Sequence, residues 1–194
     1  MLKHQRRFWD MPNRIVLLIG GYGSGKTYIG ALKSLYMSYL NSPVPGMYVS
    51  PSHQLATKTI IITLKELCNR AEIDYTYNQQ RSEFTFHNWG GVLWLGSGDK
   101  PDSLRGPNIG WAVIDEPFIQ KREVFEQMIA RVRHPEATKS QIFLTGTPEQ
   151  LNWGFTLAND PDLDIGIIQA STLDNPHLPD DYKQSLLQAY SEEQ

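Results

Sequence analysis

A single cysteine, Cys68, stands among 194 residues. It has no partner for an internal disulfide, and it cannot build a cysteine-rich zinc site. Ile61, Leu64 and Ala71 share its predicted helix face, so the sequence reads it as a core thiol rather than a reactive one. The 5 histidines are scattered without metal-ligand spacing, and no zinc is expected. Long apolar runs are also missing. None approaches the ~18 residues of a membrane span, and the first residues lack the apolar stretch of a signal peptide. No membrane association is expected, and the setting should be intracellular. Positive charge is scarce: 18 Lys and Arg against 21 Asp and Glu give a net charge of −3. Any grip on a phosphate backbone must then be local, weak, or supplied by other chains or domains. No repeat, low-complexity tract or long linker divides the chain, and its length suits one α/β domain with an ample core.

Glycine, by contrast, is concentrated in one place. Gly20-Gly21-Tyr22-Gly23-Ser24-Gly25-Lys26-Thr27 fits G-x-x-x-x-G-K-[ST]. Glycines allow a tight turn with backbone N–H groups pointing inward, and the helix that follows presents its positive end to the same spot. A polyphosphate fits such a cradle. Lys26 would reach the β- and γ-phosphates, and the Thr27 hydroxyl would ligate the Mg²⁺ that bridges them. The context agrees, because Arg14–Ile19 reads as a buried strand. Ile29, Leu32, Leu35 or Tyr36 and Tyr39 recur at helical spacing until Pro43 and Pro45. A glycine-rich hairpin without a ligand is the competing reading.

Further strands are predicted at Met47–Ser50, Glu83–His87, Val92–Leu95, Trp111–Asp115, Gln141–Thr145 and Asp164–Ala170, and helices at Gln54–Ala71 and Arg122–Val132. This alternation implies a mostly parallel sheet covered by helices on both faces. From Pro148 to Pro179 prolines, asparagines and aspartates are dense, and only Tyr182–Tyr190 regains a helical pattern. The expected organisation is an ATPase core over 1–150 and a small lid or linker subdomain over 151–194.

The strand Trp111-Ala112-Val113-Ile114 ends in Asp115-Glu116. The aspartate suits a water-mediated hold on Mg²⁺, and the glutamate suits orienting and polarising an attacking water, which implies hydrolysis rather than switching. A strand ending in a solvated acidic turn is the bland alternative. The stretch "QIFLTGTP" is another apolar strand with a hydroxylic tip. In RecA-like P-loop NTPases of the additional-strand type, which this order of motifs resembles, that strand lies between the phosphate-loop strand and the carboxylate strand. Thr145 is then the candidate γ-phosphate sensor, with Thr147 less favoured.

Four stretches taken together, "GGYGSGKT", "GGVLWLGSGDKPDSLRGPNIGWAVIDE", "ARVRHPEATKSQIFLTGTP" and "ASTLDNPHLPDDYKQSLLQAY", resemble the ATPase domain of the large terminase subunit of tailed bacteriophages. The phosphate loop and "IDE" occur in many ATPases. The "LRG" ahead of the glutamate and "T.DNP.LP..Y" after "TGTP" are more restrictive. The resemblance implies Mg²⁺- and ATP-dependent translocation of double-stranded DNA into a procapsid. It also implies a portal protein and a small terminase subunit as partners, a homo-oligomeric ring when assembled from chains monomeric in isolation, and work at the portal in the bacterial cytoplasm. Two departures matter. Many of these motors carry arginine where this loop has Tyr22, and no acidic metal cluster of a nuclease domain follows before Gln194. The chain is read as a motor domain cut from a longer protein, or a naturally split one, with no DNA cleavage expected of it. A helicase of another additional-strand class and a non-turnover, ATP-dependent assembly module are the alternatives.

Weaker candidates follow from the same resemblance. Gln5 matches the glutamine with which related translocases bond the adenine edge, where an amide can donate and accept at once. Phe8 and Trp9 are read either as base-stacking groups or as apolar anchors. Arg105, in "SLRG", resembles the arginine finger inserted into a neighbour's site, for which a planar, permanently charged fork is suited. Arg131 and Arg133 are its rivals. His53 and Lys58 lie where related motors have a loop and helix that touch DNA or the loop over the nucleotide, but a solvated helix face is the plainer account.

Overall fold

The computed structural model describes residues 1–106, 108–147 and 153–191. Eight strands form one sheet: β1 (Ile15–Gly20), β2 (Gly46–Ser50), β3 (Tyr75–Asn78), β4 (Glu83–Phe86), β5 (Gly91–Ser97), β6 (Trp111–Asp115), β7 (Ile142–Gly146) and β8 (Ile165–Ala170). Their order is β3-β4-β5-β2-β6-β7-β1-β8. From β5 to β8 every pairing is parallel, while β4 and β3 extend the sheet as an antiparallel hairpin edge. The helices are α1 (Lys3–Asp10), α2 (Lys26–Leu40), α3 (His53–Lys58), α4 (Ile60–Arg70), α5 (Arg122–Arg131), α6 (Trp153–Ala158) and α7 (Asp180–Ser191).

The central strands are continuous apolar runs because helices cover both faces of a parallel sheet. Successive side chains point to opposite faces, and the core divides accordingly. Val16, Leu18, Trp111 and Val113 pack with Phe8, Ile29 and Leu64 of α1, α2 and α4. Their strand neighbours Ile15, Leu17, Ala112 and Ile114 pack with Phe125, Met128 and Leu157 of α5 and α6. Gly46 stands opposite Trp111 in the β2–β6 register, where any Cβ would run into the indole.

β7 separates β1 from β6, the arrangement expected of the additional-strand class. Register then does the positioning: Ile19 is level with Gly146, and Asp115 is level with Thr145. The ends of β1, β6 and β7 therefore open at one edge of the sheet.

Several expectations need correction. The predicted helix over 54–71 is two helices, broken at Thr59, whose backbone leaves the helical region (φ −125°, ψ −87°) while its hydroxyl bonds back to Leu55 O at 2.9 Å. Ala71 is the exposed cap of α4 and not part of its buried face, which keeps Ile61, Leu64 and Cys68. Burial pushes the Cys68 thiol up to about 11, as for an inert core thiol. The sheet also continues past residue 150, since β8 pairs with β1 along its whole length. Pro148 lies outside the described residues.

Candidate functional site

β1 ends at Gly20 and α2 begins at Lys26, so the glycine-rich turn lies between a buried strand and a 15-residue helix. Gly23 and Gly25 adopt φ of 73° and 82°, a left-handed conformation that disfavours side chains. The loop ends at the N-terminus of α2, where unpaired N–H groups and the helix dipole favour an anion. Lys26 folds back over the loop: Nζ donates to Gly20 O at 2.8 Å and to Gly21 O at 3.1 Å. Its side chain is 7% exposed, and Nζ lies 3.7 Å from Oε1 of Glu116. Inside the same region Ser24 Oγ is buried without a hydrogen-bond partner.

The two carboxylates ending β6 have different environments. Asp115 is buried, and its Oδ1 accepts from Thr145 Oγ1 at 2.9 Å. Burial pushes its pKa up to about 6, and the repulsion of Glu116 adds to this, while the Thr145 hydrogen bond and the Lys26 ammonium pull it down. The Tyr48 hydroxyl is buried beside it; burial first, then the Asp115 charge, pushes that phenol well above its ordinary range. Glu116 is held differently. Its backbone is left-handed, with φ 45° and ψ 56°, a conformation that costs a non-glycine residue on the order of 1 kcal/mol or more. Its N–H donates to Thr145 O at 2.7 Å, fixing the turn. Its Oε2 accepts from the Thr147 N–H at 2.8 Å, and its Oε1 accepts from Thr147 Oγ1 at 3.1 Å.

Both hydroxyls at the tip of β7 are thus spent on the carboxylates, one each. The sequence favoured Thr145 and gave Thr147 less weight. In the structure Thr147 carries the contact to the candidate base, while Thr145 serves the buried aspartate. Thr27 is half-buried in the first turn of α2, and Tyr22 is exposed, with Lys26 Nζ 6.0 Å from its ring centroid.

Gln5 reaches the site from α1, an element the sequence had not announced. It is buried, its Nε2 donates to Gly25 O at 3.1 Å, and its Oε1 accepts from Leu2 N at 2.8 Å. An amide has a second N–H and a second acceptor lone pair, so these bonds do not exhaust it. Gln5, Gly25, Tyr28, Arg70 and Asn175 line a cavity of about 450 Å³ beside the loop. Phe8 is no base-stacking group: it is fully buried, with its ring 5.5 Å from that of Phe143. Trp9 packs instead on Tyr36, 4.7 Å between ring centroids.

Arg105 is exposed and pairs with Asp102 at 3.1 Å, just after the 3₁₀ turn Pro101–Leu104. Gly106 follows with φ 116°, and Pro107 lies outside the described residues. Arg133 Nε donates to Asn108 Oδ1 at 2.9 Å. Arg131 and Arg133 bracket the bridge between Ile109 and Val132, which precedes the start of β6. That places them at the opposite edge of the sheet from the loop. His53 and Lys58 lie on the exposed side of α3.

Sequence reasoning missed Tyr48, Gln120, Thr172 and Asn175. Gln120 Nε2 donates to Asp115 O at 2.6 Å from beneath the strand. Thr172 and Asn175 donate to carbonyls of the loop itself. Only "T.DNP" carried a signal, as a motif without a role. Among the described residues no group of three or more His, Cys, Asp and Glu is placed to hold a metal, and no helix is long and apolar enough to cross a membrane. Mg²⁺ ordinarily takes one or two protein ligands and fills its shell with phosphate and water. Thr27 and Asp115 match that ligand type, and the unpartnered Ser24 hydroxyl and the glycine cradle match a bound anion.

Residues 17–194 match the family described as terminase large subunit, T4likevirus-type, N-terminal. The chain is 27% identical over 141 residues to the PBSX phage terminase large subunit of Bacillus subtilis (strain 168), covering 71% of this chain and 32% of that protein. The large terminase from a thermophilic bacteriophage, solved in complex with ADP, has a TM-score of 0.80 at 15% identity, over 95% of this chain and 49% of the other. The Thermus phage P74-26 large terminase ATPase domain has a TM-score of 0.66 at 15% identity, over 86% and 79%. At that identity the structures speak for the fold. The chain spans about a third of the PBSX protein and about half of the ADP-bound terminase. The family match, by contrast, runs from β1 to the last residue and takes in the glycine-rich loop, both carboxylates and the threonine-tipped strand. The chain belongs to the terminase large subunit family of T4likevirus type, of which it carries the N-terminal part.

Proposed function

We propose that this chain is an ATP-hydrolysing motor domain that drives double-stranded viral DNA into a procapsid. The observation that carries the reading is the convergence of Lys26 and Glu116, 3.7 Å apart, over a loop of left-handed glycines. A storage or switching site needs the cation and the cradle. Only hydrolysis needs the carboxylate as well.

Residue roles follow from these positions. The backbone N–H groups of Gly23 and Gly25 and the first turn of α2 hold the phosphates, and Lys26 exchanges loop carbonyls for phosphate oxygens. Thr27 and, through water, Asp115 hold Mg²⁺. When bound, that ion would supply positive charge that offsets the charge of the phosphates. Glu116, oriented by Thr147, positions a water and accepts its proton. Gln5 reads the adenine edge from the cavity beside Gly25. Thr145 senses the state of the γ-phosphate through Asp115. The segment after β8 forms a lid beside the nucleotide, leaning on the loop through Thr172 and Asn175.

The wider assignments rest on the family. The chain acts in a homo-oligomeric ring at the portal of a procapsid, with the small terminase subunit, in the cytoplasm of a bacterial host. Its contacts with DNA are weak and local, as its net charge of −3 requires. The test is phosphate release with Mg²⁺-ATP, measured beside nucleotide binding. Glu116→Gln is expected to keep binding and lose turnover, and Lys26→Ala to lose binding. Parent-rate hydrolysis by Glu116→Gln in single turnover overturns the catalytic assignment. Stimulation by portal-bearing procapsids separates a packaging motor from another translocase.

A further inference from the structure

The segment after β8 lies across the outside of the glycine-rich loop, and two of its side chains donate to loop carbonyls. Thr172 Oγ1 donates to Tyr22 O at 2.7 Å, and Asn175 Nδ2 donates to Gly23 O at 2.6 Å. Leu178 seals the same turn: a Cβ on Gly23 would stand 3.0 Å from its Cδ1. Thr172 is packed so closely against Gly21 that its hydroxyl occupies the space a side chain there would need. We propose that Thr172 and Asn175 are positioning residues that hold the phosphate loop from outside by its Tyr22 and Gly23 carbonyls and thereby set its affinity for a nucleoside polyphosphate. The affinity part rests on the nucleotide reading above.

Three features make this a built contact. The segment is anchored where the loop begins, because Gly20 pairs with Ala170 in the sheet and Gly21 N donates to Ala170 O at 3.3 Å. It is stiffened locally. Ser171 Oγ accepts from Leu173 N at 3.2 Å, and Asp174 Oδ2 accepts from Ser171 N at 2.8 Å, so a reciprocal cap fixes the turn that presents Thr172. Asn175 is oriented by its own neighbours: Oδ1 accepts from His177 N at 3.0 Å, leaving Nδ2 for Gly23, and its backbone (φ −94°, ψ 105°) is the extended form that a following proline favours.

The consequence for the loop follows from peptide geometry. In a planar trans peptide the C=O and the next N–H point in opposite directions. Fixing the Tyr22 carbonyl outward turns the Gly23 N–H toward the inner side, and fixing the Gly23 carbonyl goes with the Ser24 N–H closing the turn on Gly21 O at 3.3 Å. Four of the six residues from Gly20 to Gly25 are glycine, and glycine loses the most conformational freedom on ordering. An external hold that orders the loop before binding lowers that cost when the anion arrives.

The test uses Thr172→Val, which keeps the shape and removes the donor, Asn175→Ala, the double variant, and Thr172→Ser, which keeps the donor. Hydrogen exchange of the amides of residues 21–25 is followed without nucleotide, and binding of a fluorescent ATP analogue is followed with Mg²⁺. Exchange is expected to accelerate in Thr172→Val and Asn175→Ala and to return to the parent rate in Thr172→Ser. The dissociation constant should rise about fivefold per bond and roughly 25-fold in the double variant, if the two add. The single-turnover rate at saturation should stay within about twofold of the parent in Thr172→Val, since Thr172 neither lines the cavity beside Gly25 nor belongs to the reacting groups. Unchanged exchange in the double variant overturns the proposal whatever the nucleotide result. Faster exchange with unchanged affinity overturns its second half. A parent chain that binds no ATP analogue refutes the nucleotide reading, while the exchange result still decides the clamp.

Discussion

Lys26 Nζ lies 3.7 Å from Glu116 Oε1 while it donates to two loop carbonyls, so the cation of the cradle and the candidate base neutralise one another across the space meant for phosphate. A γ-phosphate entering there competes with Glu116 for the ammonium. Glu116→Gln removes the competing charge and leaves an amide that can still accept from Thr147. Its affinity for Mg²⁺-ATP should therefore equal the parent's or exceed it by up to about fivefold, the range of a partly exposed ion pair. Titration calorimetry reads this directly, and a tenfold weaker Glu116→Gln complex would contradict it. Lys26→Ala should weaken binding by roughly 100-fold or more, because charge-assisted bonds to phosphate are lost together.

Asp115 should show the trade between site and stability. Its carboxylate is buried with one hydroxyl donor, and burial pushes its pKa to about 6. The folded chain carries the cost of an under-solvated charge that Mg²⁺ would offset. Asp115→Asn keeps an oxygen for Thr145 and removes the charge. The metal-free variant should be more stable than the parent at neutral pH by about 1–3 kcal/mol in urea unfolding. Added Mg²⁺-ATP should then stabilise the variant less than it stabilises the parent. A variant less stable than the parent without metal would show that the carboxylate is fully compensated by protein groups.

The glycine octet, the carboxylate pair and the alternation of strands and helices that implies a mostly parallel sheet were legible because each is local. Tight turns need glycine, buried strands need apolar runs, and adjacent residues stay adjacent. What escaped depends on tertiary packing. α1 has only His4, Gln5 and Phe8 buried, too few for an apolar period to emerge from "KHQRRFWD". β3, Tyr75–Asn78, is four residues of alternating exposure, and its pairing with β4 gives it its identity. The break at Thr59 has no glycine or proline to announce it. For β8 the sequence predicts a strand, Asp164–Ala170, but not its place in the core sheet, because its pairing with β1 is set by tertiary packing. Thr145 and Thr147 are two apart in sequence. Which carboxylate each serves follows from the β6–β7 register and the left-handed turn at Glu116.

Lys33 gives a pH signature distinct from catalysis. It is buried on α2, donates to Trp9 O at 2.8 Å, and has its Nζ 4.9 Å from the Trp9 ring, 5.3 Å from Tyr36 and 5.0 Å from Phe143. Burial, with repulsion from Lys139 and a smaller opposing pull from Asp10, lowers its pKa from 10.5 to about 8. Between those values the unfolded chain binds more protons than the folded one, so this group makes stability rise with pH through that window. Below about 8 both states are charged and the full penalty applies. Relative to Lys33→Met, the parent should gain about 2 kcal/mol in urea unfolding between pH 8 and 9.5. Parallel pH profiles for the two proteins would mean that the carbonyl and the three rings solvate the ammonium as well as water does.

Arg105 decides whether hydrolysis is coupled between subunits. Its guanidinium is exposed, with the solvent-facing Asp102 beside it at 3.1 Å, a pair that contributes little and is easily exchanged. It sits on a turn followed by Gly106 in a conformation that favours glycine. Arg131 and Arg133 lie at the sheet edge away from their own phosphate loop, and Arg133 is engaged with Asn108. If Arg105 reaches a neighbour's γ-phosphate, Arg105→Ala should leave nucleotide affinity unchanged and lower the assembled rate by ~10³-fold. Alone, Arg105→Ala and Glu116→Gln rings should both be inactive. Mixed, some interfaces join an intact glutamate on one subunit to an intact arginine on the next, and activity should partly return. Co-assembly is checked first by cross-linking, so that a silent mixture is informative. Recovery with Arg131→Ala or Arg133→Ala in place of Arg105→Ala, while the Arg105→Ala mixture stays silent, would move the role to that residue. Full activity of an all-Arg105→Ala ring would leave Arg105 a surface charge.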